Sequence, residues 1–134
     1  MQQYLRKAES FAQNLRGAKK TRRWSGIMWK NIKIDKIGAI EKCVGEFQIL
    51  AYDILPYGKM KIKVYQRQDG MYYGYTDLKV RRKFDNSPEG AIGYGSSVEE
   101  ALEDTIKYFM EILDEDYSDG ITEEDIEYSE YSDF

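Results

Sequence analysis

Residues 59–80 read KMKIKVYQRQDGMYYGYTDLKV, and this stretch decides the fold. Met60, Ile62 and Val64 alternate with Lys59, Lys61 and Lys63, the period of two that sends successive side chains to opposite faces of a strand. Asp69-Gly70 follows as the strongest hairpin signal in the chain, because both residues tolerate the positive φ of a type I′ turn. Met71 to Val80 then returns as the partner strand. Such a hairpin predicts an antiparallel sheet covered on one face and open on the other, with Lys59, Lys61 and Lys63 on the open face.

Working upstream, Pro56, Tyr57 and Gly58 mark a turn. Glu46 to Leu55 and Ile27 to Ile34 are apolar-rich runs that read as strands. Ile37 to Cys43 between them fits either a turn or a short helix. Residues 3–18 read as a helix, because Tyr4, Leu5, Ala8, Phe11, Ala12, Leu15 and Ala18 recur at three- and four-residue steps. Downstream, Asn86, Ser87, Pro88 and Gly90 form a loop, and Ala91 to Gly95 a short strand. Ser97 opens a helix through Leu113, and its spacing to Glu100 is that of a reciprocal capping box. Thr122 caps a short helix to about Tyr128, and Glu130 to Phe134 have little reason to be ordered alone. The expectation is an α+β two-layer domain over residues 1–113. It has an N-terminal helix, an antiparallel sheet of three to five strands and a C-terminal helix packed on the sheet. Residues 114–134 follow as an acidic, tyrosine-containing C-terminal extension.

Charge is sorted along the chain. Residues 1–33 carry a net +8, residues 34–96 a net +2 and residues 97–134 a net −14, for −4 overall. Two opposite poles of this strength point to association with charged partners. There is no histidine, which removes serine–histidine and cysteine–histidine nucleophiles and histidine-containing zinc sites. Cys43 is the one cysteine, so no internal disulfide forms, in keeping with a reducing, cytoplasmic location. No apolar run approaches the ~18 residues needed to span a bilayer. No acid–base set is visible, so a non-enzyme without cofactor or metal is expected.

The acidic pole supplies the main candidate site. Glu103, Asp104 and Glu111 fall on the exposed side of the last helix. Asp114, Glu115, Asp116, Asp119, Glu123, Glu124, Asp125 and Glu127 follow, with Tyr117, Tyr128 and Tyr131 among them. One reading is a solvated tail. The sharper one is a decoy for a phosphate backbone that docks in the Arg/Lys channel of a nucleic-acid enzyme, with the tyrosines adding rigid contact area. An EF-hand reading fails on register, since the acids and glycine after Asp114 miss the required positions. The basic pole, Arg16, Lys19, Lys20, Arg22 and Arg23 with Trp24 and Trp29, is the candidate for direct nucleic-acid binding. Its alternative role is to pair with the chain's own acids. Gly90 to Gly95 lacks the Gly-Lys-Ser/Thr ending of a phosphate loop, and Glu99 and Glu100 behind it would repel phosphate.

Two resemblances add to this reading. Met71-Tyr72-Tyr73-Gly74-Tyr75, then Gly93-Tyr94-Gly95-Ser96-Ser97-Val98-Glu99-Glu100-Ala101-Leu102, resembles the core of HicB-type antitoxins, a tyrosine-rich strand followed by a capped helix. That implies a β-β-β-α unit and a small basic toxin as partner. In size, charge and aromatic content the chain is similar to phage-encoded anti-CRISPR proteins. That implies a non-enzymatic inhibitor that blocks nucleic-acid access to an RNA-guided nuclease, whose channel is rich in Arg and Lys.

Overall fold

The structure is a computed structural model that describes residues 28–134. The expected helix at 3–18 and the cluster Arg16 to Trp24 lie outside the described residues. The chain divides after Ile40. Of the part before this division, residues 28–40 show one 3₁₀ turn, Trp29–Asn31, and a bend at Lys36 with φ +73°. The expected strand at 27–34 is therefore not found over its described residues. Met28 and Trp29 are adjacent apolar residues, so the run has no consistent face to bury, and Met28 and Ile34 are exposed.

Residues 41–134 form an antiparallel sheet with one helix across it. Strand β1 (Lys42–Leu50), β2 (Lys59–Gln66), β3 (Tyr72–Arg81) and β4 (Pro88–Gly95) lie in sequence order. Helix α1 (Val98–Asp116) packs over β4, β3 and β2. β1 begins and ends earlier than the apolar run suggests. After Leu50 the chain folds into a compact turn, in which Leu55 N–H and Ile54 N–H donate to Ala51 O and Ala51 N–H donates to Gly58 O. Leu55 is buried there as a plug, so its apolar character belongs to the core and not to a strand. The β2–β3 turn also differs from the type I′ expectation. Gly70 has φ +90° while Asp69 does not enter the left-handed region. Gly70 N–H donates to Arg67 O at 3.0 Å, and the Asp69 carboxylate accepts from Met71 N–H at 2.9 Å. This is a turn closed by one left-handed glycine, the G1-bulge form. β4 starts at Pro88, which sequence places in a loop. Pro88 pairs with Arg81 at the first position of an edge strand, where no ladder donor is required of it.

The core lies between the sheet and α1. Met60, Ile62, Val64, Leu78, Val80 and Ala91 meet Ala101, Phe109, Ile112 and Leu113. Each large side chain removed from water there contributes on the order of 1.5–3 kcal/mol. The glycines of β4 let the helix lie almost on the sheet backbone. A Cβ on Gly93 would sit 2.2 Å from Thr105 N, and one on Gly95 would sit 2.5 Å from Glu100 Cβ. Close helix contact is thus the reason for the Gly-rich run that superficially suggests a phosphate loop. At the helix start Ser97 Oγ accepts from Glu100 N–H at 3.1 Å. The reciprocal half of the expected capping box is replaced, because Glu100 accepts from the Ser96 hydroxyl at 2.6 Å.

Residues 114–134 belong to the same unit as the sheet and helix. In place of a short helix to Tyr128, a 3₁₀ turn at Glu123–Asp125 leads into β5 (Ile126–Tyr128). β5 pairs antiparallel with Leu78, Lys79 and Val80 of β3. It fills the place that β2 vacates where β2–β3 pairing stops at Ile62 and Thr76. Asp77 joins the fork: its carboxylate accepts from Lys61 N–H at 2.8 Å and its carbonyl from Ser129 N–H at 2.8 Å. Residues 130–134 are ordered against the open face of the sheet, and Phe134 is buried. The open lysine face expected from alternation is corrected accordingly. Lys63 is only 9% exposed, covered by the chain's own last residues.

Candidate functional site

The acids of the tail divide into those tied down and those left outward. Arg82 is buried and donates to three carboxylates: Asp116 from Nε at 2.7 Å, Glu89 from Nη1 at 3.1 Å and Glu115 from Nη2 at 3.1 Å. Asp116 also accepts from Lys83 N–H at 3.0 Å. These bonds, Arg82 first and Lys83 second, hold its carboxyl below the usual range. Arg81 pairs with Glu127 at 2.9 Å. The Tyr117 ring is buried and its hydroxyl donates to Arg81 O. Asp125 accepts from the N–H and the hydroxyl of Thr122, at 2.8 and 2.9 Å. Tyr128 donates to Lys59 O at 2.8 Å, and Glu123 accepts from Tyr57 at 3.0 Å. Asp116, Tyr117, Asp125, Glu127 and Tyr128 are thus in part fastenings of the fold.

The outward acids line the solvent side of α1. Glu103, Asp104, Glu111 and Asp114 are exposed there, as are Glu99 and Glu100, and Asp119 and Glu124 are exposed beyond the helix. Eight residues of α1 are acids, against Lys107 alone. Glu115 and Asp116 are held by Arg82, so six point outward over a helix of about 28 Å, one carboxylate per ~5 Å. At the N-terminal end the acids surround a concavity of about 280 Å³ lined by Tyr94, Glu99, Glu100, Glu103, Asp104 and Lys107. Asp104 fixes one wall by accepting from Tyr94 N–H at 2.8 Å, and Glu103 pairs with Lys107 at 2.7 Å. An exposed aromatic ring beside carboxylates is the chemistry that receives a guanidinium or ammonium group.

The open face of the sheet carries a second constellation that sequence reading missed. Tyr65, Tyr73 and Tyr75 stack on one another with ring centroids 5.7–6.2 Å apart. Tyr94 lies 6.3 Å from Tyr73, which links this cluster to the acidic concavity. Tyr73 donates to Glu41 at 2.6 Å. Burial pushes the Tyr65 phenol up to about 12, aided by its bond with Tyr75. Burial raises Tyr73 as well, aided by Glu41. Beside the cluster, Lys63 Nζ lies 4.3 Å from the Tyr131 ring centre and 4.7 Å from that of Phe134. Phe134 meets Tyr75 edge-on at 5.4 Å. The signal for this cluster is the register Tyr65↔Tyr73 and Tyr73↔Tyr94, which depends on turn lengths that residue types alone leave open.

Of the proposed nucleic-acid-binding set, only Trp29 lies among the described residues, in the 3₁₀ turn with Lys30 Nζ 6.0 Å from its ring centre. Among the described residues no three acidic or cysteine side chains converge as metal ligands, and no helix is long and apolar enough to cross a membrane. No family model, curated protein or solved structure matches the chain.

Proposed function

We propose that this protein is a non-enzymatic inhibitor that docks its acidic surface into the basic channel of a nucleic-acid-handling enzyme and blocks access of the nucleic acid. RNA-guided DNA nucleases are the leading class of target, because their heteroduplex channel and PAM-reading site are rich in Arg and Lys. The observation that carries the reading is the set of outward carboxylates on one side of α1, densest around the concavity beside Tyr94. A rigid helix presents these charges with less ordering entropy to lose than a free tail would.

The surface centres on the N-terminal half of α1 in this reading, where Glu99, Glu100, Glu103 and Asp104 lie, with Glu111 on the same side in the C-terminal half. Asp114, Glu115, Asp119, Glu123 and Glu124 extend the field, while Asp116, Tyr117 and Asp125 support it from within. The test is protection of a DNA substrate from an RNA-guided nuclease at low salt. Protection should fade as salt rises and vanish in Glu99→Lys/Glu103→Lys/Glu111→Lys. Protection that this triple charge reversal leaves intact would falsify the reading.

A further inference from the structure

We infer that the open face of the sheet is a binding site for single-stranded nucleic acid, which the chain's own residues 129–134 occupy in cis. The site uses the side of the sheet opposite α1 and stands apart from the acidic-surface reading. Its first support is charge. Alternation puts Lys59, Lys61, Lys63, Lys79 and Arg81 on the open side of β2 and β3, against Asp77, with Glu46 beside them on β1 and Glu41 held by the Tyr73 hydroxyl. That is a net +2. Glu127 pairs with Arg81 on this side at 2.9 Å, and Glu130 and Asp133 follow it in sequence. A basic face lies inside an acidic protein, and its own acidic tail covers part of it.

Geometry is the second support. The tail lays two rings, Tyr131 and Phe134, against the Lys63 ammonium. Its main-chain oxygen at Phe134 accepts from the Tyr75 hydroxyl at 2.8 Å and from Lys63 Nζ at 3.4 Å. Two rings against one ammonium, beside an oxygen acceptor held by that cation and a hydroxyl, are groups that a base and a phosphate oxygen would replace. The cluster of Tyr65, Tyr73 and Tyr75, with Tyr94 beside Tyr73, would extend the aromatic surface offered to a strand. Stacked aromatics with a cation are how sequence-tolerant single-strand sites are built.

The third support is that the fastening is reversible in kind. β5 has only three residues, and Tyr131 is 67% exposed. Beyond Ser129, whose N–H donates to Asp77 O, the tail is held by the Phe134 ring and oxygen and by the contacts of Tyr131 with Lys63 and Glu46, and a short terminal segment of this kind opens locally before the domain unfolds.

The test is anisotropy of a fluorescent oligothymidylate of about 12 nucleotides at low salt. Full-length protein is compared with Tyr131→Ala/Phe134→Ala. The released variant should bind about tenfold tighter or more, its affinity should fall with salt, and Lys63→Gln in the same background should remove the gain. Equal affinities, or a gain that survives Lys63→Gln, overturn the inference. Thermal melting checks that the released variant folds. If it does not, the isotope-labelled wild-type chain is titrated with the same oligonucleotide. Amide signals of Lys63, Tyr75 and residues 131–134 must then move together, and a tail that stays in place sinks the idea. Competition in which a Tyr-Ser-Asp-Phe peptide fills the face and the oligonucleotide never displaces it also overturns the assignment, in favour of a protein partner.

Discussion

Arg82 Nε donates to Asp116 Oδ2 at 2.7 Å, which ties the end of the longest strand to the last turn of the helix. Glu89 and Glu115 complete the guanidinium's set of acceptors. Tyr108 shares Glu89 at 3.1 Å. Arg82→Ala leaves the Asp116 carboxylate in place without its cation. Breaking this pair should lower unfolding free energy and shift the midpoint of a denaturant curve downward. Arg82→Lys should recover only part, because an ammonium cannot reach three acceptors in a planar fork.

The same contact sets the acid limb of stability. Asp116 is held below the usual carboxylate range by Arg82 and then by Lys83 N–H. Its contribution is therefore present above its unfolded pKa and is lost as pH falls through the folded one. Melting temperature should drop on acidification over that window, and Asp116→Asn should be less stable at neutral pH but flatter in acid. An unchanged acid limb in Asp116→Asn would show that other carboxylates control it.

At the alkaline end the tyrosine cluster takes over. The Tyr65 phenol is raised to about 12 by burial and its bond with Tyr75. A group with a raised folded pKa contributes stability below its unfolded value, near 10. That contribution is lost as pH rises through the folded value. Phenolate absorbance should show Tyr65 and Tyr73 ionising late in the native protein. Tyr65→Phe should remove one late-titrating group, and the remaining curve identifies it.

Gly93 is where the helix meets the sheet backbone, and any side chain there strikes Thr105 N at 2.2 Å. Gly93→Ala should cost about 3 kcal/mol or more, through separation of α1 from β4. Gly70→Ala meets no atom within 4 Å but forces alanine to φ +90°, at roughly 1–2 kcal/mol. Thermal melts of the two variants should rank them in that order. The reverse ranking would mean that α1 has room to shift.

Glu99 and Glu103 lie on the exposed helix face, outside the Arg82 network. Glu99→Lys/Glu103→Lys should leave the melting temperature within a few degrees. It should weaken retention on immobilised polylysine by about tenfold, since each removed charge shifts the local field and each added one repels. Retention unchanged by the pair would place the cation-binding surface elsewhere.

The hairpin at 59–80 and the helix opening at Ser97 were legible because period-two alternation, a left-handed glycine and a capping serine are local properties. Each is decided by a residue and its near neighbours. The acidity of α1 was legible for the same reason, since 3.6-residue spacing assigns the charges to one side of the helix. The fate of the tail was not. Residues 126–134 carry too few apolar groups to fold alone, and their order comes from partners far away in sequence: Leu78 to Val80 for the short strand, Lys63 and Tyr75 for Phe134. Likewise Arg82 becomes a clasp, and Tyr65, Tyr73, Tyr75 and Tyr94 become one cluster, only after strand register brings them together. Register is a product of turn length and sheet packing, and so the division between tethered and outward carboxylates emerged only from the tertiary structure.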